Sequence, residues 1–326
     1  MAGNVPLVKK VWFGLCLAWI SLASVSCSRK PLERPYQYSS SVFSLRELQV
    51  STINRVEGFA ANLCVIEEDD EDLAVSAEAA AVFDCFGCEV IFSKNALEKL
   101  HPASITKVMT AILAIKYGNL NDLVTVPSEA VIQEKGASLC DIKPGDVLTM
   151  EQLLYGLMLP SGNDAAAAIA VHMAGSIEQF AEMMNEEAAR LGATSTHFVN
   201  PHGLTNQEHL TTAYDLYLIF NEALTLPKFR EVTGATAYTA NYVDSFGQTV
   251  SKTWKGGNWY MTGEKPTPEG LTVFSGKTGT TNAAGYCLIM ASRDEEGKEY
   301  ISVVMKASNR SKLYENMTQI TQKIVK

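Results

Sequence analysis

Leu271-Thr272-Val273-Phe274-Ser275-Gly276-Lys277-Thr278-Gly279-Thr280 is followed closely by Gly285-Tyr286-Cys287-Leu288-Ile289-Met290, and the pair reads as a strand with a return partner. A further strand pattern covers 300–306. At the other end of the chain a strand begins at Ala79, and another covers 89–93 after a Cys-containing turn. Between these ends the pattern is helical over 149–159, 164–174, 176–191 and 212–224, and a last helix starts near Arg310. Strands at both ends with helices between them predict an α+β fold: one antiparallel sheet flanked by helices, with an inserted helical lobe. Within the strand, Lys277 offers positive charge to an anionic substrate end. Gly279 removes a side chain where another backbone must approach closely. An extended substrate can then join as an added strand.

Two more segments precede this one in fixed order. Ser104-Ile105-Thr106-Lys107 follows Pro102 and opens a run of Ile105, Val108, Met109, Ile112, Leu113 and Ile115 at helical spacing, with Gly118 as a stop. A helix over 104–117 puts Ser104 in the first turn, where unpaired backbone N–H groups stabilise developing negative charge. Lys107 lies three residues on, on the same face. Burial lowers a lysine pKa, and a neutral amine can take the proton of a serine that attacks a carbonyl. Taken alone, this segment reads equally as a serine cap beside a solvated lysine. Ser161-Gly162-Asn163 is a polar turn between an apolar helix ended by Pro160 and an Ala-rich helix opened by Asp164. Alone it is an ordinary helix–helix turn. Pinned between two buried helices, it is a rigid platform.

The trio, with its flanks, resembles the serine-type D-Ala-D-Ala carboxypeptidases, which are low-molecular-mass penicillin-binding proteins. The resemblance is carried by Leu100-His101-Pro102-Ala103-Ser104-Ile105-Thr106-Lys107-Val108-Met109-Thr110 and by the stretch from Leu154 to Ala166. Phe198-Val199-Asn200-Pro201-His202-Gly203-Leu204, Thr211 to Leu216 and Gly276 to Leu288 add to it. It covers the chain from about Ala77 onward and implies a β-lactamase/transpeptidase-like fold. It also implies that Ser104 is the acylated nucleophile and Lys107 its base, with Ser161 and Asn163 moving the proton and orienting the substrate amide. Lys277 and Thr278 would bind the terminal carboxylate, beside Gly279. The backbone N–H groups of Ser104 and Thr280 would form the oxyanion hole. The implied substrate is a peptidoglycan stem peptide ending in D-Ala-D-Ala, with β-lactams as inhibitors. This chemistry uses no metal and no cofactor.

The sequence departs from the family at two places. The first hairpin turn reads Asp84-Cys85-Phe86-Gly87-Cys88, where relatives usually carry Asp-x-x-Thr/Ser-Gly. Gly256-Gly257-Asn258-Trp259-Tyr260-Met261 stands where many have N-x-N-x-L-L. Two competing functions follow from the same machinery. A class A β-lactamase adds a Glu that activates the deacylating water, and the stretch from His197 to Asn200 has none. An inactive penicillin-binding sensor or scaffold would lack one of the groups above, and all are present. A Ser-His-Asp triad lacks its G-x-S-x-G, which leaves His202 to line the cleft or stabilise a loop.

The chain has 326 residues, 47% of them hydrophobic and 19% charged, enough for a large core in one catalytic domain or two lobes. Its net charge of −9 speaks against nucleic acid as a partner. Lys9-Lys10 and an apolar run from Val11 to about Val25 read as an export signal over 1–26. The run is shorter than the roughly 20 residues of a membrane span. Ordinary cleavage near Ser26 is the plain reading; a lipoprotein signal with a lipidated Cys27 and membrane attachment is the alternative. Residues 27–75, with Pro31, Pro35 and an acidic run over 67–72, read as a linker or stalk, and 76–326 as the catalytic domain. Beyond the signal region remain Cys64, Cys85, Cys88, Cys140 and Cys287. Export permits disulfides, and Cys85 and Cys88 flank a turn short enough to bridge. No second C-x-x-C exists to complete a zinc site. The last helix carries Leu313, Met317, Ile320 and Ile324 on one face, a stripe expected to pack on the sheet.

Overall fold

The computed structural model describes residues 63–66, 69–70 and 72–325. The export signal, Cys27 and most of the expected linker lie outside them. A five-stranded antiparallel sheet is built from β1 (Ala79–Asp84), β2 (Glu89–Lys94), β7 (Thr272–Thr281), β8 (Gly285–Arg293) and β9 (Glu299–Ala307), in the order β2-β1-β9-β8-β7. The two ends of the described chain therefore meet in the middle of one sheet, and β7 forms its edge.

Alternation along the strands sorts the core into two layers. Phe83, Ile289, Ile301 and Val303 face one side, while Val82, Leu288, Met290 and Val304 face the other. The first layer is covered by α1 (Lys107–Tyr117), α5 (Ala213–Leu224) and the other lobe helices: α2 (Met150–Met158), α3 (Asn163–Ala174), α4 (Ile177–Arg190) and α6 (Pro227–Gly234). After the short α7 (Trp259–Thr262), α8 (Arg310–Thr321) covers the second layer. Leu313, Met317 and Ile320 are buried there as the apolar stripe requires, with Ile324 packed alongside. The helices begin where their caps dictate. Thr149 and Gln152 form a reciprocal capping box on α2, and Ser176 and Thr212 cap α4 and α5 through their hydroxyls.

Two expectations change. The fold has a second antiparallel sheet, β3-β4-β5-β6, where the sequence pattern predicts only one. It is made of β3 (Leu123–Thr125), β4 (Val147–Thr149), β5 (Ala237–Val243) and β6 (Thr249–Lys255). Its first two strands are three residues long and take their order from pairing across the chain, which no local pattern announces. Nor is all of 27–75 an unpacked linker, although Asp69 and Asp70, of its acidic run, stay exposed. Asp70 Oδ2 accepts the Ser93 N–H at 2.8 Å, and Asp69 Oδ1 accepts the Ser93 hydroxyl at 2.8 Å. Cys64 and Val75 are buried in the core. Among the described residues, no helix is long and apolar enough to cross a membrane.

Candidate active site

Ser104 sits just ahead of the α-helix and not within its first turn. Residues Ala103–Thr106 form a 3-10 turn that leads into α1 at Lys107. Ala103 has a φ of 48°, an uncommon value for a residue with a β-carbon. The strain is held from below. Gly203 (φ 86°) brings its backbone so close that a β-carbon there would collide with the Ala103 carbonyl. Thr110 Oγ1 donates to the Pro201 carbonyl at 2.6 Å. His209 fixes the turn's other side. Its Nδ1 accepts the Val199 N–H at 3.1 Å, so Nε2 carries the proton and donates to Thr106 Oγ1 at 2.8 Å. Burial pushes His209 down to about 3, which keeps it neutral.

Lys107 is fully buried, and its Nζ has three neighbours: Ser104 Oγ at 3.0 Å, Asn163 Oδ1 at 2.6 Å and the His202 carbonyl at 2.7 Å. Burial, and then the charge of Lys277, push its pKa well below the ordinary lysine value, against an opposing pull from Asp164. Two of the three neighbours can only accept. A neutral amine satisfies them with two N–H bonds and turns its lone pair to the Ser104 O–H, the arrangement a base needs.

The second motif is also strained. Ser161 has a φ of 63°, and Gly162 caps α3, which begins at Asn163. A β-carbon on Gly162 would lie 2.7 Å from the Gly156 carbonyl oxygen and 2.9 Å from Cys140 Cβ, so the turn tolerates no side chain there. Asp164 is buried and ties this turn to the preceding loop. Oδ1 accepts the Cys140 N–H at 2.9 Å, Oδ2 accepts the Ile142 N–H at 3.1 Å, and the Asn163 N–H reaches the Ser138 carbonyl at 2.9 Å.

On β7, Lys277 Nζ donates to Ser161 Oγ at 2.9 Å and to the Thr278 carbonyl at 2.8 Å. Burial lowers its pKa to about 7. Gly279 presses on the Ser104 turn, where a β-carbon would lie 2.9 Å from both the Ser104 nitrogen and the Pro102 oxygen. Thr280 is the next residue on the strand, so the two expected oxyanion-hole amides belong to segments in contact. The Thr278 hydroxyl faces Gly257, with nothing nearer than 3.9 Å to a β-carbon built there.

The structure thus joins Ser104, Lys107 and Asn163 in one cluster, and Ser161 with Lys277 in an adjoining one. Sequence reasoning missed three supports: the His202 carbonyl, Asp164 and His209. The sequence draws attention to the His202 ring, but that ring accepts the Leu204 N–H and is held neutral by burial, while the backbone oxygen meets Lys107. The departing segment near Gly256 gives Asn258, whose Oδ1 accepts the Tyr260 N–H at 3.2 Å as the cap of α7.

With this geometry in place, comparison with known proteins is decisive about the class. A family model described as D-alanyl-D-alanine carboxypeptidase matches residues 66–309. The chain belongs to that family. It is 33% identical over 240 residues to D-alanyl-D-alanine carboxypeptidase DacF of Bacillus subtilis (strain 168), covering 73% of this chain and 59% of that one. It is 33% identical over 259 residues to DacC of Escherichia coli (strain K12), covering 76% and 61%. The chain therefore spans about three-fifths of the length of these relatives. Among solved structures, the Streptomyces K15 DD-transpeptidase superposes with a TM-score of 0.70 at 31% identity, covering 76% of this chain and 97% of that one. The expected α+β, transpeptidase-like fold is the one observed.

Proposed function

We propose that this protein is a serine D-Ala-D-Ala carboxypeptidase of the cell envelope, with a peptidoglycan stem pentapeptide as substrate. The observation that carries the reading is the Lys107 cluster: a buried amine with two obligate acceptors and one serine hydroxyl at 3.0 Å. Lys107 takes the Ser104 proton as Oγ attacks the carbonyl of the penultimate D-Ala. The oxyanion forms against the amides of Ser104 and Thr280. Ser161 and Asn163 carry the proton towards the leaving amine and hold the substrate amide. Lys277, Thr278 and the hydroxyl of Ser161 receive the terminal carboxylate, while Gly279 lets the peptide backbone lie flat along the free edge of β7. Release of D-Ala leaves an acyl-enzyme that water hydrolyses. A β-lactam enters by the same first step and leaves slowly.

The substrate's location fits the export signal at 1–26, with membrane attachment through Cys27 where that residue is lipidated. The division into signal, linker and catalytic domain is part of the same proposal, with the domain extended back from 76 to the packed residues at Cys64. A β-lactamase is disfavoured because 197–200 supplies no glutamate for the deacylating water.

The test is threefold: D-Ala release from a pentapeptide, labelling by a fluorescent penicillin, and β-lactam turnover, each with Ser104→Ala as control. Ser104-dependent D-Ala release supports the proposal. Fast β-lactam turnover points to a lactamase, labelling without D-Ala release to a sensor, and labelling that survives Ser104→Ala removes Ser104 from its role.

A further inference from the structure

A cavity of about 530 Å³ opens where the β1–β2 turn, the β8–β9 turn and the corner between α5 and α6 meet. Glu299 in its wall is in register with Arg293 and, through it, with Thr272 of β7. Gly279, which touches the serine turn, lies on the order of 20 Å farther along that strand. The cavity is therefore separate from the catalytic cleft, and its size is ordinary for a small-molecule site.

Asn221 of α5 is 6% exposed and lines this cavity, and its side-chain amide makes no hydrogen bond among the described residues. Buried amides are ordinarily partnered, so this one offers a donor and an acceptor to whatever enters. Charge in the wall is already balanced. Arg230 gives its fork to Glu299 at 2.9 and 2.7 Å and its Nε to the Leu224 carbonyl at 2.6 Å. Lys298 lies 2.6 Å from the Asp84 carboxylate. An anion thus finds no lone cation here. Leu224 and the Phe86 ring supply apolar surface, and Phe86 is 82% exposed although aromatic. Thr225 and Glu296, exposed at the rim, add oxygens that hydroxyl groups can donate to; the Thr225 hydroxyl spends its own proton on the Glu222 carbonyl.

This set fits an uncharged ring with an apolar face, hydroxyls on its edge and an amide. We propose that the cavity binds an N-acetylated amino-sugar unit of a glycan chain. The Asn221 amide gives its N–H to the acetamido carbonyl and receives the acetamido N–H. The C–H face of the sugar lies on Phe86, and its hydroxyls reach Thr225 and Glu296. One further step rests on the proposed function: with the leaving residue at Lys277 and the oxyanion at Thr280, the stem peptide arrives from beyond Thr280, away from this cavity. A sugar held here belongs to another part of the polymer and keeps the enzyme on it while the cleft stays open.

Saturation-transfer NMR of the full chain with tri-N-acetylchitotriose tests this. Acetyl and ring protons are expected to receive saturation, and Asn221→Leu and Phe86→Ala are each expected to weaken binding by about tenfold. Protein acylated by penicillin is expected to bind the trimer as the free protein does, and N-acetylglucosamine and maltotriose are expected to bind more weakly than the trimer. Absence of saturation transfer overturns the proposal, as does binding that both variants leave unchanged. Loss of binding on acylation moves the sugar to the cleft, equal binding of the monomer makes the ligand a free sugar, and equal binding of maltotriose removes the acetamido contact; each of these also overturns it. Circular dichroism checks the fold of each variant, and if Asn221→Leu does not fold, Phe86→Ala decides. None of the sugar-binding readouts uses catalysis, so a failure of D-Ala release and a failure of sugar binding are told apart.

Discussion

Lys277 Nζ lies 2.9 Å from Ser161 Oγ, a contact that spans 116 positions of sequence and closes the cleft between the edge strand and the helical lobe. Both partners come from motifs that are common in isolation. Their meeting sets one cation beside one hydroxyl, the pair that the proposed function assigns to a substrate carboxylate.

Because burial lowers Lys277 to about 7, its charge fades across neutral pH in the free protein. We expect kcat/KM for a carboxylate-ended peptide to fall as pH rises above about 7, with the loss in KM. Lys277→Arg, which stays protonated, is expected to remove that limb. A profile unchanged by the substitution would assign the limb to another group.

The same shift has a stability consequence. A lysine whose folded pKa lies below its unfolded value binds more protons when unfolded between about 7 and roughly 10.4, so stability rises with pH through that window. Urea midpoints at pH 7 and pH 9.5 are expected to differ in that direction, and Lys277→Met is expected to flatten the difference.

Gly279→Ala forces a β-carbon to 2.9 Å from the Ser104 nitrogen. Displacing the serine turn by part of an ångström is expected to slow acylation by about 100-fold while the protein stays folded. Stopped-flow uptake of a fluorescent penicillin, with circular dichroism as the control, measures this.

Asp164→Asn keeps one acceptor for the loop amides and loses the other, an expected cost of about 1–3 kcal/mol by urea denaturation. It also removes the negative charge that holds Lys107 up. The acid limb of the acylation rate is expected to move to lower pH, a change that loop disorder alone does not produce.

Glu187 receives Lys116 at 2.9 Å and Arg190 at 2.7 Å, and those partners hold its carboxyl down to about 2 despite burial. Its stabilising contribution is fully present above about pH 4 and is lost as pH falls towards 2. Glu187→Gln is expected to lower stability at pH 7 and to lessen the loss between pH 4 and pH 2, as followed by thermal melts.

Much of the site is legible locally. Ser104 and Lys107 are three residues apart, so one turn of chain suffices to bring them together. Asn163 and Ser161 are placed by the proline-ended helix before them, and Lys277 by the strand pattern. The His202 carbonyl is not legible, because a backbone oxygen has no residue type to betray it. Asp164 is in view as a helix opener, but its work is on amides at 140 and 142, which only the folded loop supplies. The second sheet escapes although Tyr238, Ala240 and Tyr242 alternate inward along β5. That period-2 signal is there to be read; β3 and β4, at three residues each, offer none.

The Lys107 cluster gathers atoms from positions 56 and 95 residues away in sequence. On the mechanism proposed above, a partly assembled chain lacks the base that activates Ser104, so a covalent penicillin label would count finished molecules and not polypeptide. The rate at which a refolding sample becomes labelable is then a clock for the last long-range contact to form, readable from a gel band without any spectroscopic probe.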